Sequence, residues 1–174
     1  MNSSPQTNRR RLLALPLLLA CRGAAAQPAA PPAAVLTIIG SRLGPPAKAG
    51  RAAFDVGALQ QLTQRKIVSA TPWYSSVSEF TGPLLRDVLK AAGANLDGGS
   101  SLRCTALNDY RVEIPLADVR RFDVVVAHLF NGKPMSVREK GPLFIIYPFD
   151  EQPQLRTTTY FSRCIWQLKS IELL

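Results

Sequence analysis

The sequence holds a single histidine, His128, and three cysteines, Cys21, Cys104 and Cys164. It has no Gly-x-Gly-x-x-Gly turn and no phosphate-binding P-loop, so nucleotide binding of those two kinds is excluded. It has no Gly-x-Ser-x-Gly nucleophile elbow. A zinc site needs three or four clustered ligands, and His128, Cys104 and Cys164 have no metal-type spacing. A Ser-His-Asp triad would depend on His128. That residue lies in a strand-like run with Val124, Val126 and Phe130 on its face, which reads as a core histidine with a local hydrogen bond. Carboxylates are scattered, and the adjacent pair Asp150-Glu151 reads as solvated. There is no internal repeat, and no apolar run is long enough to span a bilayer as a helix.

The first segment is organised differently from the rest. "NRRRLLALPLLLACRGAAAQ" places Arg9, Arg10 and Arg11 before the apolar run Leu12 to Ala20, and Ala24-Ala25-Ala26 before Gln27. That is the layout of a secretory signal, so residues 1–26 are expected to be removed and the rest to be periplasmic. The arginines followed by Leu12 and Leu13 fit a twin-arginine signal as well as a general secretory one. Leu18-Leu19-Ala20-Cys21 also forms a lipoprotein cleavage box, which would leave a lipid anchor at Cys21. Cleavage before Gln27 is preferred for its small residues. Arg9, Arg10, Arg11 and Arg22 leave with the signal and no acid does, so the formal charge falls from +9 to +5. A mildly basic chain suits a small anionic ligand and carries no nucleic-acid signature. The remaining 148 residues are enough for one core. Cys104 and Cys164 sit in apolar runs and read as small buried hydrophobes in preference to a disulfide.

Residues 27–34 are a Pro/Ala leader, expected to be extended and poorly ordered, and the domain spans 35–174. Strands are expected at "VLTIIG", "AAFD", "RKIVSAT", "LRCTAL", "VEI", "FDVVVAHLF" and "PLFIIYPF". A last strand is expected over "FSRCIWQLKSIELL", although Trp166, Leu168 and Ile171 fit no strict period. Asp55 is placed to cap a short helix "VGALQQL". "GPLLRDVLKAAG" is the clearest helix, with Pro83 in its first turn, Leu84, Leu85, Val88 and Leu89 on one face and Gly93 at its end. "LADVRR" is a short helix or turn, Asn131-Gly132 a tight hairpin and "DEQPQLRTTTY" a polar loop. Several strands and few helices, without regular alternation, give an α+β class with a mixed sheet.

The order of these motifs resembles the molybdopterin-binding domain of the sulfite oxidase family. The resemblance rests on Asn108-Asp109-Tyr110, then Ile114-Pro115-Leu116, then Asn131-Gly132-Lys133-Pro134, then Gly141-Pro142-Leu143, then a terminal strand with Trp166. The helix in "EFTGPLLRDVLKAAG" resembles the one that follows the family's active-site loop, and the match covers roughly residues 35–174. It implies a mixed sheet with helices packed on it, a pterin cofactor in a cleft and oxidoreductase chemistry. Catalytic relatives carry a molybdenum-binding cysteine thiolate ahead of that helix. The matching stretch here is Ser69-Ala70-Thr71-Pro72-Trp73-Tyr74, without cysteine, and Lys140 stands where relatives often have histidine. Soft thiolate ligation needs the cysteine. No catalytic residue and no metal ligand is therefore assigned, and a chain without molybdopterin is expected.

The expected role is a non-catalytic ligand-binding or sensory module. Its ligand would lie between Thr71, Trp73 and Tyr74, the turn Asn108, Asp109, Tyr110 and Arg111, and the Lys140 loop. Arg111, Arg138, Lys140 and Arg156 are the cations that would converge on an anion. Asp109 and Tyr110 also read as turn residues, and Trp73 and Tyr74 as loop packing. Two alternatives remain. One is an active molybdopterin-dependent oxidoreductase with an oxygen ligand from Thr71, Tyr74, Ser75 or Ser76. The other is a module that uses the same loops to contact a periplasmic protein partner.

Overall fold

The computed structural model describes Met1, Asn2 and residues 33–97 and 100–174. The expectations for the export signal and most of the Pro/Ala leader lie outside the described residues. The chain from there on is a mixed α+β fold. Its strands are β1 (Leu36–Ile39), β2 (Arg51–Phe54), β3 (Gln64–Ser69), β4 (Ser78–Pro83), β5 (Ser101–Ala106) and β6 (Arg111–Pro115). They continue as β7 (Val125–Ala127), β8 (Leu129–Phe130), β9 (Lys133–Pro134), β10 (Phe144–Ile146), β11 (Ile165–Trp166) and β12 (Leu168–Leu173). Among the described residues four short α-helices intervene: α1 (Val56–Gln61), α2 (Leu85–Ala91), α3 (Leu116–Arg121) and α4 (Thr158–Arg163). Among the described residues no helix is long and apolar enough to cross a membrane.

The strands form three sheets, in the orders β2-β1-β12-β5-β6, β11-β10-β7 and β3-β4-β8-β9. The pairing of β1 with β12 is parallel and all others are antiparallel. The core lies among the sheets. Ile38, Leu102, Cys104, Ile114 and Ile171 bury the inner face of the five-stranded sheet, and Phe144, Ile145 and Ile146 are buried throughout.

Local chemistry explains most element ends. The Asp55 carboxylate accepts from the Ala58 N–H at 2.7 Å, which starts α1. Asn131 and Gly132 both have positive φ, 49° and 75°, as a two-residue hairpin between β8 and β9 requires. Gly93, with φ 84°, closes α2, and the Ala94 N–H donates back to the Leu89 carbonyl.

Three expectations need correction. The helix expected from Gly82 begins only at Leu85, because Gly82 and Pro83 end β4, a strand the loop-like composition of Ser75–Ser78 hid. "FDVVVAHLF" is not one strand. β7 pairs with β10 while β8 pairs with β4, and the chain changes sheets at His128, whose N–H donates to the Thr81 carbonyl. "FSRCIWQLKSIELL" is not one strand either: its start belongs to α4, and Gln167, with φ 54°, turns the chain from β11 to β12. The Gln167 N–H donates to the Lys140 carbonyl and its own carbonyl accepts from Leu107, so the corner is pinned on both sides. This bend is why Trp166, Leu168 and Ile171 share no period.

His128 is buried, as its apolar neighbours imply. Its Nε2 lies 2.9 Å from the Gln64 Oε1, while the Gln64 amide nitrogen donates to the Leu59 and Leu62 carbonyls. The amide therefore presents its oxygen to the ring, and Nε2 carries the proton. Nδ1 is buried without a partner. Burial pushes the imidazole below its ordinary value.

Two measurements test this core. A Cβ at Gly82 would overlap the Val126 carbonyl oxygen and the Ala127 backbone, so β4 lies against β7 only because that position has no side chain. Gly82→Ala is expected to lower stability in urea unfolding by about 1–3 kcal/mol, the scale of overpacking; an unchanged midpoint would contradict the close approach. Below about pH 6.5 the unfolded chain takes up a proton that folded His128 refuses, so stability falls as pH drops. His128→Gln is expected to flatten that slope between about pH 6.5 and pH 5. An equal slope in both proteins would place the titration elsewhere.

Candidate functional site

A cleft of about 600 Å³ opens between the loop joining β3 to β4, the β5–β6 turn, α4 and β11. Trp73, Phe161 and Trp166 form its aromatic walls, with Pro72, Ala106 and Ile165 completing the apolar surface. Asn108, Tyr110, Thr158 and Ser162 add neutral polar groups, each on an exposed residue. Cys164 lines it too, but is only 3% exposed.

The Trp73 loop is tied down at its start by Asp150. That carboxylate accepts from the Ser69 hydroxyl and the Ala70 N–H, both at 3.1 Å, and also pairs with Arg156. The Trp73 ring then packs against Phe144, Phe149, Phe161 and Trp166 at centroid distances of 5.5–6.5 Å. Edge-on pairs of this kind are worth about 0.5–1.5 kcal/mol each beyond buried area. Trp73 is therefore both core packing and cleft wall.

Helix α4 is held at its far end by a buried carboxylate. Asp118, on α3, accepts from the Tyr147 hydroxyl at 2.9 Å and from Arg163 at 2.6 Å. Burial first, then the neighbouring Asp118, pushes the Tyr147 phenol up, so it stays a donor. Tyr160 packs on Phe122 and Tyr147 while Phe161 packs on Phe149 and Trp73. With that side fixed, Thr158, Phe161 and Ser162, spaced by three and four residues, line the cleft.

Of the residues singled out in the sequence, the structure brings Trp73, Asn108 and Tyr110 into this cleft. The Asn108 carboxamide accepts from the Tyr110 N–H at 3.2 Å, making the turn. Asp109, with φ 65°, does not line the cleft and pairs with Lys169 at 2.6 Å. That hydrogen bond and charge hold the Asp109 carboxyl below its ordinary value. Arg111 is exposed on β6 and also does not line the cleft. Arg156 is occupied by Asp150. Lys140 places its ammonium 4.8 Å over the ring of Tyr74, which itself stacks on Phe130 at 4.4 Å. Thr71, Tyr74, Lys140 and Arg156 are thus not gathered with Trp73 into one anion-binding group. Sequence reasoning missed Thr158, Phe161, Ser162, Cys164 and Ile165, because "QLRTTTY" reads as a polar loop. The available signal was the Thr158/Phe161/Ser162 spacing, which is short and weak.

The donor set decides whether a molybdenum centre fits. The loop from Ala70 to Val77 offers hydroxyls and no thiol. Burial, then the charge of Glu139, pushes the Tyr74 phenol up, so it does not supply an oxyanion. The thiols of Cys104 and Cys164 are buried and pushed far above their ordinary value. Among the described residues no group of three or more His, Cys, Asp or Glu side chains is placed to hold a metal. The residues present do not fit the metal of this fold's catalytic members.

The class of this mixed α+β fold, an oxidoreductase-like domain of the molybdopterin-binding type, follows from a family match. A family model described as the oxidoreductase molybdopterin binding domain matches residues 55–149, and the chain belongs to that family. Among solved structures it is similar to the sulfane dehydrogenase SoxCD from Paracoccus pantotrophus, with a TM-score of 0.55 at 14% identity. The match covers 79% of this chain and 37% of that one, so this chain spans well under half of its relative's length. A search of curated proteins gave no match. The family resemblance read from the motif order and the mixed α+β fold read from the strand pattern are thereby borne out.

Cys104 and Cys164 are free and buried, as expected from their apolar surroundings. In a Cys21→Ser chain, neither Cys104 nor Cys164 is expected to react with a disulfide reagent at neutral pH until denaturant is added. Rapid labelling of Cys164 in the folded protein would mean the cleft floor holds a reactive thiol.

Proposed function

We propose that the chain is an exported, periplasmic member of its family that has given up metal-dependent redox catalysis and serves as a ligand-binding module. One observation carries the reading. The stretch Ser69–Tyr74, where the family resemblance places a thiolate in catalytic relatives, has no cysteine, and its Trp73 is locked by four aromatic neighbours. A rigid aromatic wall suits binding and supplies no soft donor. The cleft beside it has the volume of a small-molecule site, about 600 Å³. Export is supported by the layout of residues 1–26, the basic cluster, short apolar run and Ala-Ala-Ala site.

A second reading, a working oxidoreductase with an oxygen ligand, is favoured by one feature. The Thr71 hydroxyl and the Tyr74 phenol are buried without hydrogen-bond partners. Both are neutral, and an orphaned hydroxyl is as well served by water.

Elemental mass spectrometry and pterin fluorescence on protein from the periplasm of a cofactor-competent host separate the two. Metal at background and no pterin are expected. Near-stoichiometric molybdenum would overturn the proposal, and its loss in Thr71→Val would identify the ligand.

A further inference from the structure

The charge of the cleft restricts what enters it. No Asp, Glu, Lys, Arg or His lines it. Several charged groups around it are engaged, Asp109 with Lys169, Arg163 with Asp118 and Arg156 with Asp150, and Arg111, exposed on β6 beside Tyr110, does not line it. A phosphate or carboxylate entering would shed water with no countercharge to replace it. The anionic ligand suggested by the chain's overall charge therefore has no partner here.

The walls select for flat rings. The chain has two tryptophans, Trp73 and Trp166, and both line the cleft. Their rings stand 6.1 Å apart at 68°, and both also pack on buried Phe144. They are thus held in place before any ligand arrives, and little ordering is needed on binding. Asn108, Thr158 and Ser162 contribute neutral donors and acceptors for the polar edge of a ring.

We infer that this cleft binds an uncharged, planar aromatic molecule with hydrogen-bonding edges, a small heteroaromatic, and discriminates against anionic ring compounds. The inference rests on the reading of the chain as a ligand-binding module and names the ligand class of that site.

Because both tryptophans lie in the cleft, intrinsic fluorescence of the full chain reports its occupancy directly. N-phenyl-1-naphthylamine and 1-anilinonaphthalene-8-sulfonate share a ring skeleton and differ by one sulfonate. The neutral compound is expected to quench tryptophan emission saturably, and to bind tighter than the sulfonate by about tenfold or more, as an unpaired charge requires. Trp73→Ala is a poor test, since losing such a core residue costs about 3–5 kcal/mol. Ser162 is exposed, and its hydroxyl bonds only the Thr159 carbonyl of its own helix. Ser162→Asp, which places a carboxylate at the cleft, is expected to alter probe affinity with unfolding temperature unchanged, weakening the sulfonate further. Equal or tighter binding of the sulfonate, or no saturable quenching by the neutral compound in normally folded protein, would overturn the inference. Metal content of the same sample keeps the two proposals apart. Metal-free protein that prefers the sulfonate defeats only the ligand class, whereas molybdenum-loaded protein defeats the loss of catalysis.

Discussion

Phe144 is the junction on which the arrangement around the cleft depends. It is fully buried on β10, and three rings meet it edge-on. Phe80 comes from β4 in the four-stranded sheet, Trp166 from β11 beside it, and Trp73 from the loop between β3 and β4. Rings in this geometry pack edge to face because the positive rim of one meets the negative face of another. The loop therefore takes its position from two sheets at once. Without that junction, a loop carrying Thr71, Pro72, Ser75 and Ser76 would have little reason to hold one conformation.

The consequence is a loop of fixed shape. A loop whose centre is a packed indole holds a wall. Ionic groups nearby serve the same end. Asp150 ties the loop's start and Asp118 ties α4, so the two elements that face each other across the cleft are each fastened by a carboxylate behind them. Of the cations that look available in the sequence, Arg156 is occupied in this fastening and Lys140 lies over the Tyr74 ring. The cleft between is lined by no charged side chain, which is itself a selective property.

Much of the local structure was legible beforehand because local physics decides it. Asp55 caps α1, Asn131-Gly132 turns a hairpin, and the apolar face of Leu85, Val88 and Leu89 packs α2. Burial of His128 followed from its apolar neighbours. Less legible were places where one continuous apolar run serves two sheets. His128 and Gln167 both mark such changes of sheet, and neither residue type announces a corner. Gly82-Pro83 reads as a helix start by residue type, yet the need for β4 to touch the β7 backbone makes it a strand end. The candidate site was half legible. Trp73, Asn108 and Tyr110 were named from loop chemistry, while the α4 wall was not, since a six-residue helix has almost no periodicity to detect.

The sequence by itself determined the class, the family, the strand and turn positions held by short-range chemistry, and the missing thiolate ahead of α2. Those depend on residue type and spacing alone. Tertiary structure decided which side chains share a cleft and which charges remain free. Ion pairing joins residues as far apart as Asp118 and Arg163, and Asp109 and Lys169, whose nearness follows only from how the elements cross. A net charge counts those residues wherever they lie, and only the fold shows that no charged side chain lines this cleft.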